Sequence, residues 1–198
     1  MHPSLKIITG DLFASRLQTI VNTINCKGVM GAGIALRCKQ LYPEVFTDYK
    51  ERCNAKSVSV GEPYLYRRVQ QPWVLNFPTK NHWRNPSKLR YITDGLEYLA
   101  AHYEEWGITS QAFPALGCGN GGLRWSEVGP EMYHVLKDFA IPIEIYVPLD
   151  VPAVQREEAF LRKSERAISS PPPVQTDLWG DESTPVTQYQ PKKRTRRR

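Results

Sequence analysis

Residues 19–40 read Thr19-Ile20-Val21-Asn22-Thr23-Ile24-Asn25-Cys26-Lys27-Gly28-Val29-Met30-Gly31-Ala32-Gly33-Ile34-Ala35-Leu36-Arg37-Cys38-Lys39-Gln40. Thr19–Thr23 is rich in β-branched residues and predicts a strand, and Gly33–Gln40 predicts a helix stopped by the Tyr42-Pro43 step. Between them Gly28, Gly31 and Gly33 allow the backbone to approach a ligand closely. A helix N-terminus beyond such a loop presents free N–H groups that favour an anion. The same small residues also suit a flexible loop that lets the helix pack tightly. Gly31-x-Gly33 is not the dinucleotide fingerprint, and no Gly-Lys-Ser/Thr follows, so a nucleotide-triphosphate loop is disfavoured.

Strand-then-helix alternation continues on both sides. Leu5–Ile8, Pro63–Val69, Trp73–Phe77, Ser110–Pro114 and Ile143–Val147 predict strands, the second and third joined as a hairpin by Gln70-Gln71-Pro72. Glu44–Arg52 predicts a helix. Pro86 opens a long one whose residues Leu89, Ile92, Leu96, Leu99, Tyr103 and Trp106 recur at three- and four-residue steps. Trp125–Phe139 repeats that pattern with Val128, Met132, Val135 and Phe139. The interleaving predicts a three-layer α/β/α sandwich on a mixed central sheet.

Composition changes near residue 150. Residues 1–150 are expected to form the domain, 151–167 a short surface helix, and 168–198 a disordered Pro-rich and basic tail. Of the 26 basic residues, six fall in Lys192–Arg198, and the 20 that remain balance the 20 acidic ones. The net charge of +6 therefore belongs to the tail, whose contact with nucleic acid would be non-specific and salt-sensitive. Gln175-Thr176-Asp177-Leu178-Trp179 resembles the short peptide with which bacterial repair proteins bind the sliding clamp. Cys26, Cys38, Cys53 and Cys118 lack metal-knuckle or redox spacing, and the four histidines are scattered, so no metal or cofactor is expected. Met1–Leu5 runs straight into a strand-like segment without signal-peptide character, and no apolar stretch is of membrane-spanning length. Free thiols then predict a cytoplasmic protein.

Two more segments carry chemistry. Leu116-Gly117-Cys118-Gly119-Asn120-Gly121-Gly122 has four glycines in six residues from Gly117, too many for a mere turn. Paired with the first loop, it fits a diphosphate held from two sides. Asn76-Phe77-Pro78-Thr79-Lys80-Asn81-His82-Trp83-Arg84 ends a strand. Lys80 there is either a solvated charge or a reactive amine, and Trp83 either stacks on a base or packs in the core. Asp11, just past the first strand, reads as a turn residue or as an acceptor for an adenine amino group.

Taken together, Ile8-Thr9-Gly10-Asp11-Leu12, Asn22-Thr23-Ile24-Asn25, Gly31-Ala32-Gly33-Ile34-Ala35 and Gly117–Gly122 resemble the macrodomain family over about residues 5–150. The resemblance implies an ADP-ribose site. Asp11 and Leu12 would take the adenine, and Asn25 the distal ribose. Met30, Gly31, Gly33, Ile34, Thr79, Leu116, Gly117, Cys118, Gly119, Asn120, Gly121 and Gly122 would line the rest. Asn76-Phe77-Pro78-Thr79-Lys80 with His82-Trp83 is similar to the DarG-type branch, which removes ADP-ribose from thymidine in DNA and counteracts a DarT-like toxin. By that likeness Lys80 is the catalytic residue, and His82, Trp83 and Arg84 meet the ADP-ribosylated DNA. The related vertebrate terminal ADP-ribose glycohydrolase adds a catalytic aspartate in the second loop, where this chain has Asn120-Gly121-Gly122. The competing readings are a module that binds ADP-ribose without cleaving it, and a hydrolase acting on modified acidic protein side chains or on O-acetyl-ADP-ribose. The short polar continuation leaves a free-standing eraser as an alternative to direct toxin neutralisation.

Overall fold

In the computed structural model residues 5–162 are described. The disordered-tail reading of 168–198, the Gln175–Trp179 peptide and the basic run Lys192–Arg198 lie outside them. Strands β1 (Leu5–Thr9), β2 (Thr19–Asn25), β3 (Tyr64–Tyr66), β4 (Trp73–Lys80), β5 (Gln111–Pro114) and β6 (Ile143–Val147) form one sheet in the order β1-β6-β5-β2-β4-β3. All neighbours are parallel except β3, which runs antiparallel to β4. Central strands β4 and β5 are almost wholly buried, as expected of parallel strands covered on both faces.

Helices α3 (Leu89–His102) and α4 (Trp125–Leu136) cover one face. Their residues Ile92, Leu96, Leu99, Val128 and Met132 meet Val21, Leu75, Phe77, Phe113 and Ile145 in the main core. Alternation along β2 sends Ile20, Asn22 and Ile24 to the opposite face. There α1 (Gly33–Leu41) and α2 (Pro43–Asn54) pack in two smaller clusters, one around Ile20, Cys38, Val45 and Val74, the other around Ile24, Met30, Ala35 and Tyr49. Asn22 and Asn76, both buried and opposite one another in register, lie on that face and join through a 2.8 Å amide hydrogen bond from Asn22 Nδ2 to Asn76 Oδ1. The three-layer α/β/α sandwich is thus present.

Several boundaries differ from those expected. β4 continues past Phe77 to Lys80, because β2 pairs with it as far as Asn25. Pro78 is tolerated there: β3 ends its pairing opposite Asn76, so β4 has a single partner strand beyond that point. The long helix begins at Leu89 rather than Pro86, since the Ser87 N–H is held by the Gly121 carbonyl at 2.9 Å and Lys88 stays extended. β3 is limited to Tyr64–Tyr66. Of the expected helix over 151–167, the part beyond residue 162 lies outside the described residues, and the described part holds a 3-10 turn, Ala153–Arg156, and one helical turn, α5 (Glu158–Leu161). This segment belongs to the packed unit: Val151 and Leu161 are buried in the main core, and Trp125 Nε1 donates to the Gln155 carbonyl at 2.9 Å. The packing therefore passes residue 150 and reaches Leu161.

α3 lies close to the sheet because Gly95 has no side chain; a Cβ there would stand 2.4 Å from Phe77 Cζ. Gly95→Ala should lower unfolding free energy by about 1–3 kcal/mol through overpacking, despite alanine's better helix propensity. Urea denaturation measures this, and an unchanged midpoint would show that α3 is free to shift.

Candidate functional site

Parallel strands deliver their C-terminal ends to one edge of the sheet, where an open α/β fold collects its ligands. Here the ends of β2, β4 and β5 border a cleft of about 530 Å³, a volume suited to a small-molecule ligand. Asn25, Thr79, Lys80, Trp83, Gly31, Gly33, Ile34, Gly117, Gly119, Asn120 and Gly121 all line it. A second chamber of about 360 Å³, bordered by Asp11, Leu12, Phe13, Arg37, Tyr146 and Val147, shares Gly33, Ile34, Pro114, Ala115 and Gly119 with the first. The two make one elongated groove.

The glycine loops face each other across it. Gly33 has φ +56°, and a Cβ there would lie 3.1 Å from Asn120 Nδ2. A Cβ at Gly121 would lie 2.3 Å from the Gly117 carbonyl oxygen and 2.5 Å from Ser87 Oγ, so the second loop closes on itself only with glycine at that place. Inside this loop the N–H groups of Cys118, Gly122 and Leu123 bond to Ala115, Gly119 and Gly117. Those of Gly119, Asn120 and Gly121 have no acceptor among the described residues. Helix α1 starts at Gly33 without a side-chain cap, leaving its first N–H groups free as well. Donors without a protein acceptor thus face the cleft from both sides, an arrangement chemically suited to an anion.

Lys80 is the last residue of β4, opposite Asn25 in register, and its carbonyl accepts from Cys26 N at 3.1 Å. Its Nζ donates to the Asn120 carbonyl, tying the amine to the second glycine loop. No residue lining this part of the cleft is acidic. Asn25 is buried and well held: Nδ2 donates to the Val29 carbonyl at 2.6 Å, and Oδ1 accepts from Lys27 N at 2.8 Å and from the Tyr49 hydroxyl at 3.1 Å. The second Nδ2 hydrogen is left for a ligand. Thr79 is buried and donates weakly to the Ile24 carbonyl at 3.5 Å.

Trp83 is 44% exposed, which removes the core reading. The His82 ring stacks on it at 5.5 Å and Arg84 Cζ stands 4.5 Å from its ring centre, an aromatic and cationic group at the cleft mouth. Asp11 takes the turn geometry and also borders the smaller chamber. Oδ1 accepts from Phe13 N at 3.0 Å in a turn, while Oδ2 pairs with Arg37 at 2.7 Å beside the smaller chamber. Four other expected residues, Met30, Leu116, Cys118 and Gly122, border neither chamber. Met30 and Leu116 are buried in cores, Cys118 directs its thiol to the Leu116 carbonyl, and the Gly122 N–H turns inward. Sequence reading missed Phe13, Val29, Arg37 and Tyr146 as lining residues. Arg37 could have been found, being one helical turn after Gly33 on the same face.

Among the described residues there is no metal-ligand cluster, and no helix is long and apolar enough to cross a membrane.

The Macro domain family profile matches residues 21–132, more than half of the chain. The chain belongs to the macrodomain family. It is 41% identical to a DNA ADP-ribosyl transferase–DNA ADP-ribosyl glycohydrolase fusion protein of Thermosipho africanus, over 81% of this chain and 47% of that one. It is 36% identical to a DNA ADP-ribosyl glycohydrolase of Thermus aquaticus, over 75% and 42% respectively. This macrodomain chain thus spans less than half the length of these curated relatives. Among solved structures, the macrodomain of Mycobacterium tuberculosis DarG superposes with TM-score 0.70 at 41% identity, covering 72% of this chain and 97% of that one. Thermosipho africanus DarTG in complex with ADP-ribose gives TM-score 0.77 at 42% identity, covering 80% and 46%.

Burial raises the Cys118 thiol to about 12 and the Cys26 thiol to about 11, from an ordinary value of 9.0. In the unfolded chain both ionise first, so between those values the folded state holds more protons and stability falls as pH rises. Urea midpoints taken from pH ~8 to ~10.5 should decline, and Cys118→Ala should flatten the decline. Equal slopes in the two proteins would contradict the assignment.

Proposed function

We propose that this macrodomain hydrolyses the N-glycosidic bond between ADP-ribose and thymidine bases of DNA, reversing the modification made by a DarT-like transferase. Adenine enters the smaller chamber against Asp11 and Leu12. The diphosphate lies between the N–H groups of Gly33 and Ile34 and those of Gly119–Gly121, within reach of Gly31, Gly117 and Gly122. The distal ribose meets Asn25 and Thr79, which brings its anomeric carbon to Lys80. The modified strand leaves past His82, Trp83 and Arg84, where stacking and phosphate pairing are available.

The observation that carries this reading is the position of Lys80 Nζ, in the cleft and bonded to the Asn120 carbonyl of the loop that would hold the diphosphate. A lysine without an acidic partner is consistent with cleavage of a base-linked sugar, and the Thermosipho fusion of transferase and glycohydrolase in one chain supports the pairing with DarT-like chemistry. In net reaction, water supplies hydroxyl to the anomeric carbon, while thymine leaves with the bonding electron pair and gains a proton. The amine has two routes to this end. It can attack the anomeric carbon to give a Schiff base that water hydrolyses, or protonate the leaving base as water adds. Borohydride during turnover separates them: a reduced adduct on Lys80 assigns the first, and its absence assigns the second. A cytoplasmic setting suits all of this, with the Gln175–Trp179 peptide as a contact to the sliding clamp.

Lys80→Ala should slow release of ADP-ribose from a thymidine-modified oligonucleotide by about 100-fold or more. Its calorimetric affinity for free ADP-ribose should change less than about threefold, because the residue acts on the reacting bond. Wild-type activity in this variant, or turnover only on glutamate-modified protein, would remove the proposal.

A further inference from the structure

The smaller chamber holds a cation that neither glycine loop supplies. Arg37 rises from the second turn of α1, pairs with Asp11 Oδ2 at 2.7 Å, and stands with Cζ 5.3 Å from the Phe13 ring centre. Its side chain is 54% exposed, so it forms the chamber's outer rim. An exposed ion pair contributes little to folding, which leaves the position of this one beside a ligand-sized chamber to be explained. Asp11 spends one oxygen on Phe13 N at 3.0 Å and the other on Arg37, yet an ionised carboxylate has about four acceptor sites. Capacity therefore remains for an incoming amine, and the two bonds fix the direction in which it is offered. Arg37 keeps several of its five donors and a flat cationic face.

We propose that Arg37 is a specificity-determining residue of this chamber: its guanidinium covers the outer face of the bound purine and, by pinning Asp11, makes the site select a base with an exocyclic amine. This rests on the ADP-ribose reading above. A hypoxanthine ring places a carbonyl oxygen where adenine has its amine, against the fixed carboxylate. With Arg37 removed, Asp11 is free to rotate away, and the penalty on hypoxanthine shrinks. Arg37→Lys retains the charge but not the plane, so it should keep the preference for adenine while losing the covering contact.

Calorimetric titration of the full chain with ADP-ribose, ADP and IDP tests this. Arg37→Ala should weaken ADP-ribose about tenfold, from loss of the stacked cation. It should also cut the ADP-over-IDP ratio by about threefold or more. On modified DNA, KM should rise with kcat unchanged, since Arg37 and Lys80 border different chambers. Arg37→Lys should weaken ADP-ribose while restoring most of the ratio. Unaltered affinity and ratio in a folded Arg37→Ala variant overturn the proposal and leave the functional reading intact. Wild-type protein that binds no ADP-ribose overturns that reading instead.

Discussion

Strands β2 and β4 run parallel from Thr19 opposite Trp73 to Asn25 opposite Lys80, and the cleft is assembled on that pairing. Because the two strands point the same way, residues distant in sequence reach the same edge of the sheet. A register irregularity between Ile24 and Asn25 lets the last pair meet, and the Cys26 N–H closes the ladder on the Lys80 carbonyl. A slip of β4 by one residue would turn Lys80 to the opposite face of the sheet from its place beside Asn25. The register is secured below them by buried Val21, Leu75 and Phe77 on one side and by the Asn22–Asn76 amide bond on the other.

Above this edge the backbone supplies the charge complementarity. The start of α1 and the loop over Gly119–Gly121 present N–H groups that have found no acceptor among the described residues, an arrangement favourable beside an anion. Ser87 links this loop to the beginning of α3, and α3 in turn rests on Phe77 through Gly95. The second glycine loop is thereby fixed relative to β4, and Lys80 Nζ makes the last connection to the Asn120 carbonyl. Packing, loop shape and the placement of the amine are one continuous set of contacts.

Much of this was legible in the sequence. Alternation of strand and helix gave the sandwich, and the apolar steps from Ile92 through Leu99 named the face of α3 that is buried. Two glycine-rich stretches, each at a strand-to-helix junction, pointed together to a pair of loops able to face a diphosphate. What escaped were features set by tertiary contacts. The strand expected over Trp73–Phe77 runs on to Lys80 through Pro78, because the partner on its other edge has already ended. The start of α3 was shifted by a hydrogen bond to a loop more than thirty residues away. The extension of the core to Leu161 was hidden by the charged residues around it, which take the solvent side of the turn. Arg37 was overlooked because an arginine on an amphipathic helix ordinarily just faces water.

In the proposed complex two sets of backbone amides hold a diphosphate so that the sugar carbon to be released comes to Lys80. A crystal structure of the Lys80→Ala variant bound to an ADP-ribosylated thymidine oligonucleotide measures it directly. Phosphate oxygens are expected to bond to N–H groups at Gly33–Ile34 and Gly119–Gly121, with the anomeric carbon about 3.5 Å from where Nζ stood. A diphosphate bound elsewhere, or an anomeric carbon turned away from residue 80, would contradict it.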